Sequence, residues 1–104
     1  HAGMDFSGPQ GTDIYAVAPG VVSFAGVKNG YGNVIEVTHG DGYVTRYAHA
    51  QSLVAHVGDL VAKDQLIAYM GSTGRSTGTH LHYEVLVNGR QIDPATYINV
   101  AMKR

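Results

Sequence analysis

Cysteine is absent from the 104 residues, which excludes disulfide scaffolds, cysteine zinc sites, iron–sulfur clusters and thiol catalysis together. Charge is scarce as well as balanced: charged residues make up 14% of the chain, and Lys+Arg 7 against Asp+Glu 8 leaves a formal net charge of −1. That near balance lacks the basic footprint of a nucleic-acid binder or of a polybasic membrane anchor. No apolar run approaches the roughly 18 to 20 residues that span a bilayer, and no charged-then-apolar leader is visible. With 44% hydrophobic residues the chain is too apolar for intrinsic disorder. One domain over 1–104 around a single core suits this length. Because it begins at His1 rather than Met, the chain reads as a fragment of a longer protein.

Glycine is what the chain has in excess, with 14 of 104 residues, about twice the roughly 7% of ordinary usage. Between the glycines lie short β-branched and aromatic stretches at 21–27, 34–38, 43–49, 66–70 and 81–87, of the length and type that form strands. His39-Gly40-Asp41-Gly42 and Asn88-Gly89 carry the residues that hairpin turns with positive φ need. Helical periodicity is found only at 94–101, behind Asp93 as an N-cap. The expected fold class is therefore mainly β with little helix. Residues 71–79 form a polar, Gly-rich loop of the kind that borders a site. It is not a nucleotide-binding P-loop, because the Gly-Lys-Ser/Thr ending is missing.

Six histidines are many for this length. His80-Leu81-His82 opens an apparent strand, where side chains two apart share a face. Two adjacent imidazoles repel when protonated, so a metal or a shared proton is the economical way to keep them neutral, although a hydrogen-bonded surface pair has the same spacing. His1 and Asp5, four apart, add a nitrogen donor and a carboxylate, and Gly3, Gly8 and Pro9 favour a turn or extended loop there over a helix. With His82 they make a His₂Asp set, akin to catalytic zinc sites with three protein ligands and one open position. Tyr47-Ala48-His49 ends another strand. His39 and His56 sit at turns and receive no catalytic role.

In chain order, His1-x-x-x-Asp5, Tyr31-Gly32-Asn33, Tyr47-Ala48-His49, Val57-Gly58-Asp59-x-Val61, the 71–78 loop, His80-Leu81-His82 and Asp93-Pro94 resemble the lysostaphin-type, LytM-like zinc endopeptidases of peptidoglycan. The resemblance covers about 1–97. It implies a small antiparallel β-sheet core of the duplicated hybrid motif type, with a loop-walled groove. It also implies that His1, Asp5 and His82 hold Zn²⁺ and that His49 and His80 flank the metal as catalytic residues. Thr79 stands where the family often has Pro, Lys63-Asp64-Gln65 replaces a common Lys-Gly-Gln turn, and the residues that normally precede the first ligand are absent.

The function so implied is zinc-dependent hydrolysis of peptide crosslinks in bacterial peptidoglycan, with a lean to the D-alanyl–diaminopimelate bond. Arg46, Arg75 and Arg90 are candidates to pair with a diaminopimelate carboxylate. The expected partners are peptidoglycan stems or crosslinks, with no nucleic acid, no membrane span in this chain, and room for a regulatory segment or partner outside it. A periplasmic, envelope or extracellular location follows from the substrate. One alternative is a catalytically inactive domain of the same fold that binds and activates a wall amidase. Another is a lipoyl-like or phosphotransfer carrier domain, prompted by residues 57–61 and the paired histidines.

Overall fold

Strands form here where β-branched and aromatic residues alternate with polar ones, and turns where the backbone adopts positive φ. The computed structural model describes residues 3–94. They contain β1 (Met4–Ser7), β2 (Asp13–Tyr15), β3 (Gly20–Lys28), β4 (Gly32–Gly40), β5 (Tyr43–Leu53), β6 (Leu60–Val61), β7 (Leu66–Met70), β8 (His80–Val87) and β9 (Arg90–Ile92). These join in one sheet in the order β1-β8-β5-β4-β3-β6, with β7 pairing β5 and β2, and β9 pairing β8. Every ladder is antiparallel. The mainly β expectation holds, and each of the anticipated strand stretches lies within an observed strand.

The hairpin signals work as expected. Gly40, Asp41 and Gly42 have φ of 101°, 53° and 80°, and Asn88 and Gly89 have 51° and 82°. Asp64 also stands at φ 68°, which explains why a glycine suits the middle of the related Lys-Gly-Gln turn. The helix expected over 94–101 lies, beyond Pro94, outside the described residues.

One face of the sheet builds the core. Ile14, Val22, Ile35, Val37, Tyr47, Ile67, Tyr83 and Val85 are all buried in it, and each large apolar side chain buried contributes about 1.5–3 kcal/mol. The Tyr47 and Tyr83 rings pack 5.5 Å apart. The Tyr47 hydroxyl accepts from the Val17 N–H at 3.1 Å and lies 2.8 Å from Thr45 Oγ1.

Alternation turns the intervening residues to the opposite face, where the sheet carries a row of opposite charges. Glu36 on β4 is the register partner of Arg46 on β5, and Arg46 is the partner of Glu84 on β8. Cross-strand pairs of opposite charge are the favourable arrangement. Arg46 reaches both: Nε lies 2.8 Å from Glu36 Oε2 and Nη1 2.7 Å from Glu84 Oε1. Lys28 on β3 extends the row, 2.8 Å from Glu36. This half-buried ladder leads directly to the histidines.

Candidate active site

Strand β8 lies between β1 and β5. The ladder with β1 pairs Asp5 with His82 and Ser7 with His80, and the ladder with β5 pairs Ala48 with His82. Two-residue alternation therefore presents His80, His82 and Glu84 together, while Tyr83 and Val85 enter the core. His82 Nδ1 lies 2.7 Å from Asp5 Oδ1, and its Nε2 lies 2.8 Å from Glu84 Oε2. His80 Nε2 is 3.7 Å from the same Asp5 oxygen. The His49 ring centroid is 4.9 Å from that of His80 and 6.0 Å from that of His82.

His49 reaches this cluster through an irregularity in β5. Asn33 pairs with Ala50 and Ile35 with Tyr47, so β5 carries one residue more than β4 over this interval, a bulge. His49 has φ 64°, a left-handed conformation that costs a side-chain-bearing residue about 1–3 kcal/mol. Its N–H donates to the Tyr31 carbonyl at 2.8 Å, and its Nδ1 lies 2.6 Å from the Thr73 carbonyl oxygen. A carbonyl only accepts, so Nδ1 carries the proton and Nε2 of the neutral ring is left as an acceptor. His80 follows the same logic, with Nδ1 donating to the Gly78 carbonyl at 2.9 Å, beside Ser76 Oγ at 3.1 Å.

The Gly-rich loop forms a wall because it docks on the 30–33 turn. Thr73 Oγ1 donates to the Ala50 carbonyl at 2.7 Å and accepts from the Asn33 N–H at 3.1 Å. The Arg75 N–H donates to the Gly30 carbonyl at 3.0 Å. Gly32 and Gly74, at φ 68° and 72°, meet backbone to backbone, and a Cβ on Gly32 would lie 2.5 Å from Gly74 N. Only glycine fits such an approach. The turn and loop flank an open cavity of about 450 Å³, lined by Asn29, Gly30, Tyr31 and Arg75 together with His49, His82 and Glu84.

The electrostatics follow from the partners. The hydrogen bond that His82 donates to Glu84 raises the His82 pKa, burial opposes it, and Asp5 adds to the rise. Burial pushes the Glu84 carboxyl up, but hydrogen bonds from His82 and Arg46 outweigh it and hold the pKa below the ordinary carboxylate value. His49 goes the other way. Burial lowers its pKa, the Thr73 carbonyl resists, and the neighbouring His80 and His82 depress it further.

Of the residues singled out from sequence, the structure thus brings Asp5, His49, His80 and His82 together, whereas His1 lies outside the described residues. Among the described residues no group of three His, Cys, Asp or Glu side chains is placed to hold a metal ion. What they supply is a carboxylate oxygen and an imidazole nitrogen converging from adjacent strands, donors whose chemistry suits zinc. Among the arginines, Arg46 is taken up by Glu36 and Glu84 and Arg90 starts β9 beyond the far end of β8. Arg75 lines the cavity. Sequence reasoning assigned no role to Glu84 or to the Tyr31 hydroxyl. Glu84 was within reach of the rule applied to His80 and His82, since it lies two further along the same strand.

A single antiparallel sheet that exposes a histidine–carboxylate cluster in a loop-walled groove has the build of a small metallopeptidase domain. The chain belongs to peptidase family M23, whose sequence profile matches residues 1–94. It is 45% identical over 96 residues to the DD-carboxypeptidase/endopeptidase Mpg of Neisseria meningitidis serogroup B, covering 92% of this chain and 22% of that protein. It is 40% identical over 102 residues to the peptidoglycan DD-endopeptidase ShyA of Vibrio cholerae, covering 98% and 24%. The catalytic domain of the antimicrobial peptidase lysostaphin from Staphylococcus simulans superposes with a TM-score of 0.90 at 36% identity, covering 95% of this chain and 79% of that one. A zinc-containing peptidase from Vibrio cholerae gives 0.86 at 39% identity, covering 94% and 29%. The lysostaphin-type resemblance read from sequence is borne out in family and fold. The chain spans about a quarter or less of the length of these curated relatives.

Proposed function

We propose that this chain is the catalytic domain of a zinc endopeptidase that hydrolyses peptide crosslinks of bacterial peptidoglycan, at the D-alanyl–diaminopimelate bond. The observation that carries this reading is the convergence of Asp5, His82, His80 and His49 in one cluster, with His49 and His82 lining an open cavity, in a member of a peptidase family. The names of Mpg, a DD-carboxypeptidase/endopeptidase, and of ShyA, a peptidoglycan DD-endopeptidase, support the bond assignment. An amidase-activating role draws no comparable support. Action on peptidoglycan places the protein in the periplasm, envelope or extracellular space. Among the described residues no helix is long and apolar enough to cross a membrane.

His1, Asp5 and His82 would hold the zinc. When bound, zinc supplies Lewis acidity and a water whose pKa falls to about 7. The chain's own residues do the rest. His49 and His80 each keep Nδ1 on a backbone carbonyl, so each turns an unprotonated Nε2 away from that contact. Between them they take the proton of the attacking water and return one to the leaving amine, help of the kind worth about 10² to 10⁴ in rate. The Gly71 to Thr79 wall, held on the 30–33 turn, fixes both histidines and leaves a trough for an extended peptide.

A turbidity assay on purified sacculi tests this reading. Clearing that stops with chelator and returns with zinc supports it; clearing that is indifferent to both would sink it.

A further inference from the structure

One buried carboxylate has no part in the steps above. Glu84 is 3% exposed and is surrounded by donors. Oε1 accepts from Arg46 Nη1 at 2.7 Å and from Gln91 Nε2 at 3.2 Å, and the Tyr31 hydroxyl lies 3.2 Å from both oxygens. Oε2 lies 2.8 Å from His82 Nε2. Arg46 is itself anchored by Glu36, so Glu84 is fixed at the end of a chain of partners that starts on β3. Such a ladder is poorly explained by stability alone, because a buried ion pair is often matched or bettered by apolar side chains of the same volume.

The direction of the His82 contact is settled by chemistry. Paired with Arg46, Glu84 accepts hydrogen bonds and does not donate them. The proton in the Glu84–His82 contact therefore sits on Nε2. Asp5, 2.7 Å from Nδ1, accepts a second proton only while the ring is charged. The proton the neutral ring keeps is the one held by the buried, clamped Glu84 rather than by the exposed Asp5, which leaves Nδ1 open. Gly3 contributes space. A Cβ there would meet His82 Nε2 at 2.7 Å and Glu84 Cγ at 3.2 Å, so the backbone can pass over this contact only without a side chain.

We propose that Glu84, clamped by Arg46, is a positioning residue that locks His82 in the Nε2–H tautomer and aims Nδ1 at the Asp5 carboxylate, where the metal would be held. Outer partners of this kind orient ligand imidazoles, and losing one costs about 10- to 100-fold in metal affinity. The zinc consequence rests on the metallopeptidase reading; the tautomer does not.

Two variants and two readouts test it. Glu84→Gln keeps an acceptor of the same shape, while Glu84→Met removes it at similar volume. Histidine ¹⁵N spectra of the zinc-free chain, at a pH where the rings are neutral, report the tautomer, and competition with a chromophoric chelator reports zinc affinity. The unmodified chain is expected to carry the His82 proton on Nε2. Glu84→Met should mix the tautomers and weaken zinc binding by about 10- to 100-fold, with Glu84→Gln recovering most of that loss. A His82 proton on Nδ1 in the unmodified chain would overturn the proposal, and so would a folded Glu84→Met variant with the parent's tautomer and affinity. If Glu84→Met does not fold, the tautomer of the unmodified chain still decides. If zinc does not bind at all, the functional reading falls while the tautomer result stands on its own.

Discussion

Asp5 and His82 are register partners on β1 and β8, and the carboxylate oxygen Oδ1 sits 2.7 Å from Nδ1 of the ring. Residues 77 apart in sequence are thus set face to face by a single antiparallel ladder. Three strands cooperate in the site, since β5 brings His49 to the other side of His82.

This pairing separates two kinds of variant. Asp5→Ala and His82→Ala should lose zinc and activity together, because each removes a donor. His80→Ala should keep zinc, measured by metal analysis after dialysis, yet lose about 10² to 10⁴ in kcat. Full turnover by His80→Ala would refute its catalytic role.

The depressed pKa of His49 fixes a direction for the acid side of the rate profile. A ring whose pKa lies below the ordinary 6.5 stays neutral, and able to accept a proton, at pH values where a free histidine is already charged. Activity should therefore persist as pH falls through 6.5 and fail only lower. The sign for stability is the same: an unfolded chain takes up this proton first, so the His49 contribution is present above 6.5 and is lost as pH falls toward the lower folded value. A kcat/KM profile across this range checks the first statement. An acid limb centred above 6.5 would contradict it.

The wall of the groove depends on two glycines in contact. Gly74→Ala puts a Cβ into the Gly32 backbone at φ 72°, and we expect a loss of about 1–3 kcal/mol with displacement of the Thr73 carbonyl from His49. Gly78→Ala is the control, since its Cβ meets nothing within 4 Å. Urea unfolding of both variants should show a large effect at position 74 and little at position 78.

Much of this was legible in the chain. The five stretches of β-branched and aromatic residues announced the long strands, and Asn88-Gly89 announced its hairpin, because both signals are local. The short strands β1, β2, β6 and β9 were not announced. They span four, three, two and three residues and exist through pairing with longer neighbours rather than through their own pattern. Asp5 was expected in a turn or extended loop because Gly3, Gly8 and Pro9 surround it, yet it lies on an edge strand against His82. The bulge at His49 was equally hidden, since a single residue entering positive φ depends on Tyr31 and Thr73, which are distant in sequence. The Arg46–Glu84 pair could be read only once the β5–β8 register was known.

Substrate charge should be read by Arg75, an exposed cation on the cavity wall whose backbone is pinned to Gly30. Arg75→Gln should raise KM by roughly 10-fold for crosslinks with a free diaminopimelate carboxylate, the scale of one lost charge-assisted contact. It should leave kcat, and KM for the amidated crosslink, close to the parent. Equal losses on both substrates would remove Arg75 from recognition.

The most direct measurement is mass spectrometry of the products released from purified crosslinked muropeptides, with chelator and with added zinc. Zinc-dependent conversion of dimers to monomers is expected, with new termini at D-alanine and at the diaminopimelate side-chain amine. Intact dimers from a folded, zinc-loaded protein, or cleavage at a different bond, would contradict it.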